Sequence, residues 1–314
     1  MKTAIVTGAN GFIGRALTRE LLKRGTTVYA IGFHFGNDCE INVSKNYIPI
    51  ELDFQHYIQM KEYLPKCEID VFYHLAWGGG FERNILKDYR LQLENAKAAG
   101  DAMISAIQTN VRRFVYAGTI NEIETQQFIE HFATFQTRPT CIYAAAKLAA
   151  ELICRTLAQE NRLHYCAGLI PMIYGEGNRS KQLINVVVDE LIHGREPKLI
   201  DGNNKYDLVH VDDVARAFAE IGSKGVDGKR YYIGHRELKT FRQWMQEVRD
   251  IVSPQTGLRF GEFDDPLNLD YSLLGLDDLY LDTGFECKED LSEQMKNYVE
   301  WFIKDRQIET AKES

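Results

Sequence analysis

Residues 3–14 read TAIVTGANGFIG, and the reading of this stretch decides the fold. An apolar, β-branched run passes directly into a loop carrying Gly8, Gly11 and Gly14, and the amphipathic segment ALTRELLKRG follows. Strand, glycine loop and helix in that order suit a pyrophosphate. Glycines let the backbone turn tightly and approach the phosphates, and the exposed N–H groups at the helix N-terminus favour negative charge. A dinucleotide-binding turn is therefore expected rather than a merely structural one. The next strand, TVYAIG, ends where a carboxylate would accept the 2′-hydroxyl of an adenosine ribose, but the chain has Gly32, then Phe33 and His34. With nothing there to accept that hydroxyl or repel a 2′-phosphate, NADP is expected over NAD, with Arg15 or His34 meeting the phosphate. Further on, Asp53 in IELDF either accepts the adenine amino group or is an ordinary strand-end carboxylate.

Outward from the loop, the runs TAIVTG, TVYAIG, YIPIEL, DVFYHLA and RFVYAGT alternate with amphipathic segments. That alternation marks βαβ units with right-handed crossovers, and so a parallel sheet covered on both faces. The fold class expected is α/β, a Rossmann-type doubly wound parallel sheet with a smaller C-terminal α/β substrate lobe. After about residue 170 the rhythm breaks into loop-rich stretches, GEGNRSKQ, IDGNNKY and FDDPLNLD, before a helix expected over 289–305. The boundaries expected are 1–170 for the dinucleotide-binding half, with 207–234 returning to it, and 171–206 with 235–314 for the substrate lobe. The closing residues, IETAKES, are expected to fray.

With 314 residues, 45% hydrophobic and 26% charged, the chain can bury a large core. A net charge of −8 and a pI near 5.6 argue against a general nucleic-acid or acidic-membrane binder. The six cysteines, Cys39, Cys67, Cys141, Cys154, Cys166 and Cys287, form no CxxC pair and stand near no His cluster, so reduced, packing thiols and no metal are expected. No stretch approaches the roughly eighteen apolar residues of a membrane span, and MKTAIVTG enters a strand at once. The expected location is the cytoplasm.

Residues 143–151 read YAAAKLAAE, a run of strong helix formers with one phenol and, a turn later, one ammonium. Positions i and i+4 share a helix face, so Tyr143 and Lys147 can act on each other. Spacing alone does not decide their role: sixteen tyrosines yield about one YxxxK by accident, and Tyr57 with Lys61 is a second instance.

The segments TGANGFIG, LDF, YHLAWGG, NAKAAGDAMISAIQTNVRRFVYAGT and YAAAK stand in the order found in the short-chain dehydrogenase/reductase family, extended branch. LIPMIYGEG, DLVHVDDVARAF and the final DTGF also look like that branch, so the resemblance covers nearly the whole chain. It is a resemblance to nucleotide-sugar epimerases, dehydratases and reductases. It selects Tyr143 over Tyr57, because Thr119 ends the strand RFVYAGT where the family places its Ser or Thr. It implies that Thr119, Tyr143 and Lys147 are catalytic. Thr119 fixes the sugar oxygen, Tyr143 moves the proton, and Lys147, together with the positive charge of oxidised nicotinamide, lowers the phenol from its free value of about 10 and also holds the nicotinamide ribose. It further implies a cofactor site made by Gly8, Asn10, Gly11, Phe12, Ile13, Gly14, Arg15, His34, Asp53, Phe54, Leu75, Ala76, Lys147 and Pro171.

In the 4,6-dehydratases of this family an Asp-Glu pair directly follows the Ser/Thr; here Ile120 and Asn121 do, and Glu122 and Glu124 stand out of register. Dehydration is therefore not expected. There remain an NADP-dependent reductase of a nucleoside-diphosphate 4-keto-6-deoxyhexose and a 4-epimerase that keeps NAD bound. Outside enzymes, a dinucleotide-binding regulatory protein is the alternative, against which the intact Thr, Tyr and Lys argue. Trp77 in YHLAWGGG either walls the sugar pocket or packs its loop. In the second lobe the family's LR-P pattern is altered at Leu169, Ile170 and Pro171, and Tyr206 replaces an Arg. Arg179, Lys181 and Asn185 become the candidate diphosphate contacts, with Leu199 under the nucleobase, while Asp207, His210 and Asp212 are read as structural. The family also implies a homodimer through helices near 88–108 and 143–160.

Overall fold

The computed structural model describes residues 1–35, 44–66, 68–80, 82–130, 137–264, 269–288 and 290–313; Cys39 and Cys67, whose state the sequence addresses, lie outside them. The first half contains β1 (Thr3–Thr7), α1 (Phe12–Lys23), β2 (Thr27–Gly32), β3 (Tyr47–Glu51), a 3-10 stretch (Phe54–Glu62), β4 (Ile69–His74), α2 (Arg83–Leu86) and α3 (Tyr89–Gln108). There follow β5 (Val111–Thr119), α4 (Glu122–Glu130), α5 (Pro139–Glu160), β6 (His164–Ile170), β7 (Met172–Tyr174), α6 (Leu183–Ile192), β8 (Lys198–Ile200), β9 (Lys205–Tyr206) and β10 (Leu208–His210). The chain closes with α7 (Val211–Lys224), β11 (Arg230–Tyr232), β12 (Lys239–Thr240), α8 (Phe241–Val252), β13 (Arg259–Phe263), α9 (Asp278–Thr283) and α10 (Leu291–Glu313).

Seven strands form one parallel sheet in the order β11-β6-β5-β4-β1-β2-β3. Alternate residues along a strand face opposite sides. Thus Ala4 and Val6 of β1 enter the layer with α1 and α7, and Ile5 enters the layer with α3 and α5. Strand order reverses between β1 and β4, and the crevice beyond their carboxyl ends is where open α/β sheets take ligands. The glycine loop leaves β1 at that point, and YHLAWGGG leaves β4 beside it. The doubly wound α/β fold is as the sequence reads.

The second lobe has its own apolar core, in which Ile184, Val188, Leu199, Phe241, Trp244, Met295 and Tyr298 are buried. Three two-stranded pairs, β10-β7, β12-β9 and β13-β8, accompany it. β10 pairs with β7, and α7, which follows it directly, packs in the layer with α1 on the large sheet. The tail expected to fray is helical through Glu313. No helix among the described residues is long and apolar enough to cross a membrane.

Candidate active site

Helix α5 starts at Pro139, whose fixed φ suits the first turn, and turns Tyr143, Ala144, Ala146, Lys147 and Ala150 inward. Tyr143 and Lys147 thus share its buried face. Thr119, at the carboxyl end of β5, stands close enough to the Tyr143 phenol to favour its ionised form. The Lys147 ammonium donates to the Ala117 carbonyl at 3.0 Å and lies 3.9 Å from the centre of the Trp77 ring. Trp77 also meets Tyr143 edge-on, with ring centres 6.0 Å apart. Sequence reading offered Trp77 as a pocket wall; here its faces and edge are used to hold the two working side chains.

The electrostatics of the protein side chains alone favour the acid form. Lys147 does not draw the phenol down: burial pushes Tyr143 up, and Thr119 only partly offsets it. Burial also pushes Lys147 down to about 8, against the opposing pull of Glu122. The cause is geometric, since the ammonium is turned to a carbonyl and an indole face. The protein by itself keeps the phenol protonated, which is the acid form.

The residues after Thr119 offer no dehydration acid. Ile120 is buried among apolar side chains, and the Asn121 N–H donates to the Thr119 hydroxyl at 3.3 Å. Glu122 accepts the Thr119 N–H, and Glu124 is paired with Arg138.

The cofactor cradle can be tested residue by residue. A Cβ on Gly8 would stand 2.9 Å from the Ala76 backbone, and one on Gly14 would collide with the Gly8 carbonyl. Only glycine keeps that approach open. Helix α1 begins at Gly11 with no capping side chain and no acid in its first turn, so the amide end is left for an anion. Leu75 and Ala76 line the neighbouring β4 end, bonded to the Thr7 carbonyl and hydroxyl. Asp53 caps the 3-10 stretch through the Gln55 N–H, Phe54 packs near Gly78, and Pro171 is buried between β6 and β7. These residues fit a dinucleotide.

At the ribose end the strand-end acid absent from β2 is supplied by β3. Gly32 is in register with Glu51, whose carboxylate accepts the Phe35 N–H at 3.0 Å and sits 3.0 Å from His34 Nδ1. Asn10 fills the space a Gly32 side chain would need, with its Oδ1 2.8 Å from that Cβ, and donates to the His34 carbonyl. The Arg15 Nε donates to the Asn10 carbonyl at 3.0 Å.

Two of the expected substrate contacts are corrected. Asn185 is buried with its amide spent on the Asn178 and Ser180 carbonyls and on Tyr298. Leu199 is 1% exposed in the second-lobe core, not beneath a base. Arg179 makes a two-pronged pair with Asp305. Asp207 is structural as read: it holds the Tyr232 hydroxyl at 2.6 Å and both the N–H and ring of His235. His210 caps α7, and Asp212 is exposed beside Arg19. A cavity of about 720 Å³ lined by Tyr174, His210, Asp213, His235 and Trp244 lies apart from Thr119, Tyr143 and Lys147, none of which line it.

Sequence reasoning missed Gln92 and Asn95. Both are buried on α3; Gln92 accepts from the Trp77 indole at 2.9 Å, and Asn95 bonds both backbone groups of Gly78. Polar side chains on the inward stripe of an otherwise alanine-rich helix were the available signal.

Three comparisons bear on this geometry. A family model described as NAD dependent epimerase/dehydratase family matches residues 4–234. An uncharacterized protein, y4nG, of Sinorhizobium fredii is 28% identical over 274 residues, which cover 82% of this chain and 62% of that protein's length. Among solved structures, UDP-glucose 4-epimerase of Thermotoga maritima with UDP-glucose superimposes with a TM-score of 0.74 at 23% identity, covering 96% of this chain and 99% of that one. A double mutant of DesIV, a dTDP-glucose 4,6-dehydratase of Streptomyces venezuelae with NAD bound, gives 0.77 at 21% identity over 97% and 98%. At these identities the structural likeness is one of fold.

Proposed function

This chain belongs to the NAD dependent epimerase/dehydratase family of enzymes, and from that premise we propose that it is an NADP-dependent reductase of a nucleoside-diphosphate 4-keto-6-deoxyhexose. The observation that supports this reading is a buried phenol, kept in its acid form by that burial, beside Thr119, with Ile120 and Asn121 and not an acid directly after that threonine. Thr119 and Tyr143 together bind the ketone oxygen, and Tyr143 gives it a proton. When bound, the reduced nicotinamide supplies the hydride that makes the carbon an alcohol. Lys147, buried beside the phenol, offsets the phenolate that remains until solvent returns the proton. Trp77 excludes water from the ammonium and keeps it in place. Residues 1–170 with 207–234 are read as the dinucleotide half, and 171–206 with 235–314 as the substrate half.

NADP rests on Gly32 and on Arg15, a guanidinium able to grip a phosphate. Glu51 favours the second reading, a 4-epimerase holding NAD, because its carboxylate can accept a ribose hydroxyl. Its charge is exposed and already met by His34 and the Phe35 N–H, which weakens its repulsion of a phosphate. A homodimer is part of the proposal: Leu93 on α3 and Leu152 and Ile153 on α5 are 58%, 55% and 42% exposed on adjoining helices.

The test is to mix the protein with NADPH and dTDP- or UDP-4-keto-6-deoxyglucose and follow absorbance and product. Oxidation of one NADPH per sugar supports the reductase. Interconversion of a 4-hydroxy sugar with no net cofactor change establishes the epimerase instead. If no nucleotide sugar is converted or raises the melting temperature, both readings fall.

A further inference from the structure

Behind Thr119 lies a group of ionisable side chains with no part in the chemistry above. Glu122 at the start of α4 and Glu151 on α5 are 1% and 2% exposed. Arg230 of β11 reaches both: its Nη2 donates to Glu122 at 2.8 Å, and its Nε stands 2.9 Å from Glu151. Both carboxyls thus converge on one guanidinium with almost no water around them. Among the described residues Arg230 is the cation that bonds the pair, Lys147 being turned to the Ala117 carbonyl and the Trp77 ring; against that one guanidinium two ionised carboxylates leave a net negative charge out of water, whereas one retained proton brings the sum to zero. The other Oε of Glu122 accepts the Thr119 N–H at 2.9 Å. Around the group stand Tyr116, Tyr143 and Lys147 on the Glu122 side and Cys154, Arg155 and Tyr165 on the Glu151 side.

We propose that Glu122, Glu151 and Arg230 form a buried, net-neutral cluster holding one shared proton, and that Glu122 is a positioning residue fixing Thr119, and through it the sugar oxygen, against Tyr143. The positioning role rests on the reading of Thr119, Tyr143 and Lys147 as the working group; the shared proton does not. Arg230 donates to one oxygen of Glu122 and so turns the other toward the Thr119 N–H. Glu151 carries the proton and donates it to Glu122. The last residues of β5 are thereby tied to β11 and α5 at once, and the hydroxyl of Thr119 has little freedom to turn from the phenol.

Infrared spectra of the full-length protein at neutral pH should contain the carbonyl stretch of a protonated carboxyl, absent from Glu151→Gln and from Glu122→Gln. A native spectrum without that band, or a band that both variants keep, overturns the shared proton. With NADPH and dTDP-4-keto-6-deoxyglucose, Glu122→Ala should lower kcat about tenfold at unchanged KM and NADPH affinity, while Glu122→Gln, which can still accept the N–H, should stay within about twofold of native. Glu122→Met serves where the alanine variant does not fold. Equal losses in Gln and Ala or Met, or a loss confined to KM, overturn the positioning role. If the native protein converts no keto sugar, the functional reading fails, and hydrogen exchange at the Thr119 amide decides instead: protection in native and Glu122→Gln, lost in Glu122→Ala, supports positioning, and equal protection in all three refutes it.

Discussion

Replacing Glu151 by Gln should flatten the pH dependence of stability in a calculable way. Burial and the neighbouring Glu122 raise Glu151 from 4.5 to about 9, with Arg230 and Arg155 opposing. A carboxyl whose pKa is higher folded than unfolded takes up a proton on folding. Its stabilising contribution is full below the unfolded value and is lost as pH rises through the folded one. Between those values the loss is about 1.4 kcal/mol per pH unit. From about pH 6 to about pH 8 the native protein should therefore lose about 2–3 kcal/mol through this group. The Gln variant does not titrate, and its amide N–H donates to Glu122 as the protonated carboxyl did. Lys147, which burial brings down to about 8, titrates in both proteins and cancels in the difference. Urea unfolding at a series of pH values, with equal m-values, gives the two stabilities. The gap between variant and native should widen by about 2 kcal/mol over that range in favour of the variant. Parallel curves would show that Glu151 is ionised in the folded protein and refute the reasoning.

Tyr143→Phe should keep NADPH affinity, measured by fluorescence titration, and lower kcat by about a hundredfold or more, since the ring still packs but cannot transfer a proton; unimpaired turnover would remove Tyr143 from the chemistry. Trp77→Leu takes away a desolvated cation–π contact worth about 2 kcal/mol, so the Lys147-dependent limb of the pH–rate profile should move down by about 1.5 units; an unmoved limb would mean the indole does not support the ammonium. Arg15→Ala should weaken NADPH about tenfold more than NADH by calorimetry, and equal weakening would strip Arg15 of a phosphate role. Leu152→Asp should convert a dimer to a monomer in light scattering, and an unchanged mass would place the contact elsewhere or nowhere.

The sheet was legible because its signals are local. The glycine loop, the β-branched runs and the alanine-rich helix each declare themselves within a dozen residues, and strand order then follows from short crossovers. Helical spacing puts Tyr143 and Lys147 on one face, but Tyr57 and Lys61 share that spacing, and only the family resemblance selects the first pair and joins Thr119 to it. The second lobe was less legible. Asn185 has the composition of a binding residue, yet the loop 178–180 and Tyr298 consume its amide; Leu199, set beside glycines and charges in sequence, is needed by the core of α6, α8 and α10. What a polar side chain is free to do depends on partners far along the chain, as Tyr298 lies from Asn185.

The same nonlocality governs charge at the two ends of the site. Scanning β2 finds no acid after Ile31, yet parallel pairing sets Glu51 opposite Gly32 and turns Asn10 into the room left by the missing side chain. A Gly32→Asp change would therefore not simply restore a conventional ribose site; it would have to displace an amide that is bonded to the His34 carbonyl. At the catalytic end, one turn of helix puts Lys147 on the same face as the phenol, but burial is the largest influence on both groups. Spacing fixed which residues meet. The charge each one carries was decided by what surrounds it: an indole for Lys147, an apolar wall for Tyr143, and for Glu151 a second carboxyl that leaves it no way to ionise alone.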